Sequence, residues 1–314
     1  MQPSTRNPEK YLQRLDWSVV RRLDGALQGD YRTLFQGFGL ELSDLREYQA
    51  TDDVRHIDWN VTARMDTPYV RQYIEEREVT AWFLLDLSPS VDFGTVQTLK
   101  RNLLIDFVSV LARLLARHGN RVGAILYSGK VDKVIPAGGG KPQVLHLIDS
   151  IMRQPQQVHT PPTDLSALLE TAYRVIRRKS LIFIVSDFIS APGWDRPLTL
   201  LTQKHEVLAV RLYDPREMEL PDIGTVTMED AETGEQLFLD THDRKFRERF
   251  REAALRRDYE REVTFRRTGV DKMELSTEGD LVKEVLRFAT LRKQQKKAPA
   301  SFNRKSVPAL PQRR

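Results

Sequence analysis

The stretch Ala81-Trp82-Phe83-Leu84-Leu85-Asp86-Leu87-Ser88-Pro89-Ser90 decides how the rest of the chain is read. Its apolar run from Ala81 to Leu85 has no polar face, so a strand made of it must be covered on both sides, as central strands of parallel sheets are. The run stops on a carboxylate, and two hydroxyls follow at alternate positions. A second run of the same kind, Leu181-Ile182-Phe183-Ile184-Val185, stops at Ser186-Asp187. Further strands are expected at Val122–Tyr127, Lys133–Ile135, Val207–Tyr213 and Lys272–Leu275. Between them the apolar spacing becomes helical. A helix is expected from Thr95 to His118, with Leu99, Leu103, Phe107, Val110, Leu111 and Leu114 inward and Gly119 as its stop. Others are expected at Lys141–Met152, Asp164–Arg178, Asp195–Lys204, Asp243–Arg266 and Leu281–Phe288, with a hairpin at Thr225–Leu239 turning at Gly234. Buried strands alternating with amphipathic helices define an α/β class: a mostly parallel sheet with helices on both faces.

Outward from this region the pattern weakens. Leu12, Leu15, Val19, Leu23 and Leu27 give Pro8–Leu27 one helical stripe, and residues 31–79 are irregular and charged, with an extended piece at Tyr69–Ile74. The expected organisation is an N-terminal arm over 1–77, the α/β domain over 78–291 and a disordered basic tail over 292–314.

The chain has 314 residues and a formal net charge of +5. Arg292, Lys293, Lys296, Lys297, Arg304, Lys305, Arg313 and Arg314 exceed that excess with no acid among them, so the rest is slightly acidic. Nucleic-acid binding by the body gains no support from charge, and only the tail offers it. There is no cysteine, which excludes disulfides, thiolate zinc sites and cysteine nucleophiles. MQPSTRNPEK has no apolar core of a secretory leader, and no run reaches the ~18–20 apolar residues of a membrane span, so a cytoplasmic protein is expected. The six histidines show no metal-binding spacing, and no G-x-S-x-G or G-x-x-x-x-G-K-[ST] pattern occurs. Gly138-Gly139-Gly140 reads as a turn into the next helix.

Ligands of open α/β sheets sit beyond the carboxyl ends of strands, where strand order reverses. Asp86 and Asp187 are expected there on adjacent parallel strands, with Ser88, Ser90 and Thr163 facing the same point. Two carboxylates and three hydroxyls form an all-oxygen set, suited to Mg²⁺ first, with Mn²⁺ or Ca²⁺ as alternatives, and not to zinc. Asp164 reads as a first-turn acid of the following helix.

This set resembles the metal-ion-dependent adhesion site of von Willebrand factor A-like domains. There a D-x-S-x-S loop (here Asp86, Ser88, Ser90), a threonine (Thr163) and a later aspartate (Asp187) bind one divalent cation. Pro161 and Pro162 stand where such domains usually have two glycines. The segment Leu45-Arg46-Glu47-Tyr48-Gln49-Ala50-Thr51-Asp52-Asp53-Val54-Arg55-His56-Ile57-Asp58-Trp59, followed by Ala63-Arg64, is similar to the segment preceding that domain in the bacterial domain-of-unknown-function family fifty-eight. Gly269–Thr277 and Leu281–Arg292 are similar to that family's C-terminal end. The resemblance implies a non-enzymatic, metal-dependent adaptor in protein maturation or complex assembly. A partner's Glu or Asp would complete the metal shell, and a MoxR-type AAA+ ATPase would be an associated protein. From the residues alone, Arg46, Asp52, Asp53, Arg55, Asp58 and Arg64 read as a salt-bridged network holding the arm on the domain, and Trp59 as core. The enzyme alternative is a Mg²⁺-dependent phosphatase using Asp86 as nucleophile. Such enzymes place a second aspartate two residues later, where this chain has Ser88.

Overall fold

The computed structural model describes residues 7–26, 45–49, 52–54, 57, 59–65, 67–71, 79–95, 98–157, 162–229 and 234–297. Helix α1, Pro8–Leu15, is capped by Asn7, whose side chain accepts from the Glu9 amide at 2.9 Å. A π-helical turn, Asp16–Val20, leads into α2, Arg21–Ala26. Because a π-turn holds more than 3.6 residues, it advances the apolar stripe by one position. Leu12, Leu15, Val20 and Leu23 are buried, and Val19, expected inward, is only partly so. Leu27 lies outside the described residues. Strand β1, Leu45–Glu47, pairs antiparallel with β2, Tyr69–Arg71, and α3, Trp59–Met65, lies between them in sequence.

The remaining elements follow the alternation read from the sequence. They are β3 (Thr80–Asp86), α4 (Lys100–Arg117), β4 (Arg121–Tyr127), β5 (Val131–Gly138), α5 (Gly140–Met152), α6 (Leu165–Val175), β6 (Leu181–Ser186), α7 (Asp195–Lys204) and β7 (Glu206–Tyr213). The hairpin β8 (Thr225–Glu229) and β9 (Gln236–Asp240), α8 (Arg244–Thr268), β10 (Asp271–Ser276) and α9 (Leu281–Lys297) complete the order. Six strands form one sheet in the order β10-β7-β6-β3-β4-β5, with only β5 antiparallel to its neighbour. Counted in chain order this is the doubly wound 3-2-1-4-5-6 arrangement, and its reversal falls between β3 and β6.

Alternate residues of β3 serve opposite layers. Ala81, Phe83 and Leu85 join the core beneath α1, α2, α4, α5 and α9, while Trp82 and Leu84 join the one beneath α6, α7 and α8. Phe83 stacks on Phe183 of the neighbouring strand with ring centroids 5.0 Å apart. The N-terminal helix is built into the first layer. Tyr11 donates to the half-buried Asp106 of α4, and Asp16 pairs with Arg113 at 3.3 Å.

Three expectations are corrected. The helix expected from Thr95 starts at Lys100, because the Thr95 amide and hydroxyl bind the Asp214 carboxylate at 2.9 and 2.8 Å and hold the chain out of helical geometry. Trp59, expected in the core, is 69% exposed. The tail expected to be disordered from 292 is helical to Lys297, as the last turns of α9, and 298–314 lie outside the described residues. Of the expected charged network, Arg55, Asp58 and the side chain of Arg46 also lie outside them. Asp52 accepts from the Gln49 amide at 2.9 Å, closing a local turn. Among the described residues no helix is long and apolar enough to cross a membrane.

If the N-terminal helix is part of the core, Leu12→Ala and Leu23→Ala will each cost about 2–5 kcal/mol in urea denaturation, the range for emptying a buried leucine site. A change below about 0.5 kcal/mol, typical of surface positions, would show that the arm only rests on the domain.

Candidate metal centre

Asp86 is the last residue of β3 and Asp187 directly follows β6, strands paired in parallel from Ala81↔Leu181 to Leu85↔Val185. Both carboxylates therefore leave the sheet at the point where strand order reverses. Each is buried and partly satisfied by its own loop. Asp86 Oδ1 accepts from the Ser88 amide at 3.1 Å, and Oδ2 from the Ser186 hydroxyl at 2.6 Å. Asp187 Oδ1 accepts from the Ile189 amide at 3.0 Å, and the Ser90 hydroxyl also bonds this carboxylate. Ser88 and Ser90 face each other with Oγ atoms 3.1 Å apart, as expected of alternate residues in one loop. Thr163 is buried, and its carbonyl accepts from Ser190 Oγ at 3.0 Å and the Ala191 amide at 2.8 Å, which ties its loop to the one after Asp187. Asp164 caps α6 by accepting from the Ser166 amide at 2.9 Å.

Phe188 follows Asp187 with φ of 57°, a left-handed conformation that costs an aromatic residue on the order of 1–3 kcal/mol. Its ring is held edge-on against Phe265, with centroids 5.0 Å apart, and also contacts Trp194. That packing keeps the bend in place directly after Asp187.

The sequence reading missed Lys100. It opens α4, is fully buried, and its Nζ lies 2.8 Å from Asp187 Oδ2 and 2.6 Å from Glu217 Oε1. Glu217 belongs to a 3₁₀ turn after β7 whose capping box also uses Asp214, the residue that holds Thr95. Burial works against the charge of Lys100, but Asp187 and Glu217 outweigh it and raise its pKa. Burial would likewise raise Asp187, yet Lys100 dominates and holds it below the usual carboxylate range. Asp86 has no such partner. Burial, and then the charge of Asp187, push its pKa up to about 6 against the hydrogen bonds from Ser186 and Ser88.

Asp86, Ser88, Ser90 and Asp187 thus converge, and Thr163 is bonded through its backbone to the loop of the last. Their all-oxygen chemistry and the uncompensated charge of Asp86 fit a hard divalent cation. Among the described residues no three His, Cys, Asp or Glu side chains are placed to hold a metal ion together, so a cation here would rely on hydroxyls as much as on carboxylates.

Two variants test these electrostatics in metal-free buffer. Lys100→Met leaves Asp187 and Glu217 without their shared cation and should cost about 3–5 kcal/mol at pH 7, the usual penalty for halving a buried pair. The folded-state pKa of Asp86 lies above its ordinary value, so its stabilising contribution is complete below pH 3.8 and is lost as pH rises through about 6. Asp86→Asn should therefore exceed the wild type in stability by about 2 kcal/mol at pH 7.5, with the difference shrinking towards pH 4. Denaturation curves at both pH values check this, and a destabilised Asp86→Asn at pH 7.5 would contradict it.

A family model described as "Protein of unknown function DUF58" matches residues 44–260. An uncharacterized protein of Mycobacterium tuberculosis H37Rv is 36% identical over 282 residues, covering 90% of this chain and 89% of that protein. An uncharacterized protein of Mycobacterium avium is 34% identical over 159 residues, covering 51% of this chain and 94% of that one. Among solved structures, an aerotolerance-related membrane protein of Bacteroides fragilis aligns with a TM-score of 0.47 at 12% identity, covering 69% of this chain and 99% of that one. A von Willebrand factor type A protein of Catenulispora acidiphila aligns with a TM-score of 0.33 at 8% identity, covering 72% of this chain and 43% of that one. By the family match, and by identity along nearly the whole of the mycobacterial protein, this chain belongs to the DUF58 family.

Proposed function

We propose that the protein is a non-enzymatic, metal-dependent adaptor that binds a protein partner at the site between β3 and β6. The observation that carries this reading is the buried meeting of Asp86 and Asp187 at the strand-order reversal, with Ser88 and Ser90 beside them. Asp86, Ser88, Ser90, Thr163 and Asp187 are the residues to hold one divalent cation, Mg²⁺ first. A bound cation would supply an open coordination position for a Glu or Asp of the partner, in line with the resemblance to metal-ion-dependent adhesion sites.

The chain's own residues set the terms of this binding. Asp187 is oriented by Lys100 and the Ile189 amide. Asp86 is held at both oxygens, so neither carboxylate must reorganise when charge arrives. Lys100 offsets one of the two negative charges and favours a cation bound jointly with an incoming carboxylate over a cation bound tightly alone. Ser88 stands where a phosphatase would need its second aspartate, and its hydroxyl faces Ser90, which supports binding over turnover. The resemblance to family fifty-eight suggests a MoxR-type AAA+ ATPase as the associated protein, and the cytoplasm is proposed as the place of action.

Immobilised protein incubated with lysate and with a purified MoxR-type ATPase should retain partner in Mg²⁺ and release it in EDTA. Asp86→Ala should abolish retention while the domain stays folded. Thr163→Ala should weaken it less, since water can replace a neutral ligand. Ser88→Asp should impair retention and bring no hydrolysis of p-nitrophenyl phosphate. Retention indifferent to EDTA and to Asp86→Ala would sink the adaptor reading, and Mg²⁺-dependent hydrolysis stopped by Asp86→Asn would replace it with the phosphatase.

A further inference from the structure

Next to the carboxylate site, and sharing Asp187 and Glu217 with it, lies a cavity of about 450 Å³ bounded by the loop after β6, the end of β7 and α8. Phe188 and Trp194 give it an aromatic wall. Arg211 of β7 and Arg261 of α8 also line it, each with a side chain only 9% exposed. Asp258 serves both guanidinium groups, forming an ion pair with Arg211 Nη1 at 2.8 Å and accepting from Arg261 Nη2. Glu274 also takes Arg211 Nη1, at 3.2 Å. The oxygen partners of Arg211 therefore crowd onto one nitrogen. Among the described residues, its Nη2 meets the thioether sulfur of Met218 at 3.7 Å, its Nε is buried with no hydrogen-bond partner, and the guanidinium carbon lies 5.0 Å from the Tyr213 ring centroid. A desolvated donor without an acceptor is costly, and a guanidinium edge made of Nε and Nη2 matches a carboxylate bidentately. Burial, and then the charge of Arg211, lower the pKa of Arg261.

From this arrangement we infer that the Nε–Nη2 edge of Arg211 receives one carboxylate from an acidic segment of a protein partner, the flexible Met218 side chain moving aside to admit it. The unbranched thioether can repack at little cost, which suits it to a displaceable cover. The class of ligand follows from the remaining lining. Asp187, Asp195, Glu217 and Glu260 stand around the same cavity against Arg257 and Arg267, so beyond Arg211 and Arg261 the lining is net acidic and opposes a dianionic phosphate more than a single carboxylate. The inference takes from the proposed function only that the occupant is a protein segment. It needs no cation.

The test is a titration of the nitrogen-15-labelled full chain in EDTA with acetyl-Gly-Glu-Glu-Gly-amide, its glutamine counterpart and sodium phosphate. The Arg211 Nε–H and Trp194 indole resonances are followed. The glutamate peptide should shift both signals in the wild type, and the glutamine peptide should bind about ten-fold more weakly or not at all. Arg211→Lys should lose about ten-fold, because an ammonium cannot offer two parallel donors. Met218→Trp, which blocks the approach and leaves Arg211 intact, should weaken binding even if Arg211→Lys proves poorly folded. Met218→Ala should bind at least as tightly as the wild type. Asp86→Asn should bind unchanged, so loss of Mg²⁺-dependent capture and loss of this pocket are separately visible. Equal binding of the two peptides, no binding of either, phosphate binding in place of the peptide, or indifference to Met218→Trp would each overturn the inference.

Discussion

Carboxylates brought together at the end of a parallel sheet repel each other and resist leaving water, and the ammonium of Lys100 is the group that makes the arrangement stable. It sits between Asp187 and Glu217 at 2.8 and 2.6 Å with no exposure of its own. Placing it there requires α4 to begin at residue 100 and not earlier. The chain before it must bend, and Gly94 makes the bend feasible: a Cβ there would lie 2.3 Å from the Thr98 carbonyl oxygen. Asp214 then anchors Thr95 on one side and Thr277 at 2.8 Å on the other, well ionised because bonds from Arg216, Thr277 and Thr95 outweigh its burial. Lys100 thus ties the head of α4 to the loops after β6 and β7, and Asp214 ties in the loops after β3 and β10.

The parts legible in the sequence are those whose physics is local. The runs Ala81–Leu85 and Leu181–Val185 are too short for helices and alternate with amphipathic helices, so they read as double-covered strands whose ends Asp86 and Asp187 mark. The D-x-S-x-S spacing places its groups in a single loop, so convergence of Ser88 with Ser90 needs no tertiary knowledge. The cap at Asp164 and the stop at Gly119, where φ is 79°, are equally local.

Lys100 was not legible for the opposite reason. Its partners lie 87 and 117 positions away, and the apolar stripe Leu99-Leu103-Phe107 runs past it without a break, so the helix reads as starting at Thr95. The π-turn at Asp16–Val20 is hidden in the same way, since Val19 and Val20 satisfy the pattern equally well and only packing selects Val20. Trp59 was misread because an isolated indole in a charged segment carries no periodic signal at all.

The span of the Lys100 contacts also bears on how the chain is made. A ribosome delivers β3, α4, β4 and β5 long before it delivers Asp187 and Glu217. Until then the ammonium at the head of α4 has no counter-charge and stays in water, so the first turn of that helix cannot close onto the sheet. The nascent half-domain therefore carries a frayed helix start exactly where the site will form. Vectorial synthesis therefore delays the carboxylate site until the chain through Glu217 has emerged, gated by contacts of high sequence separation.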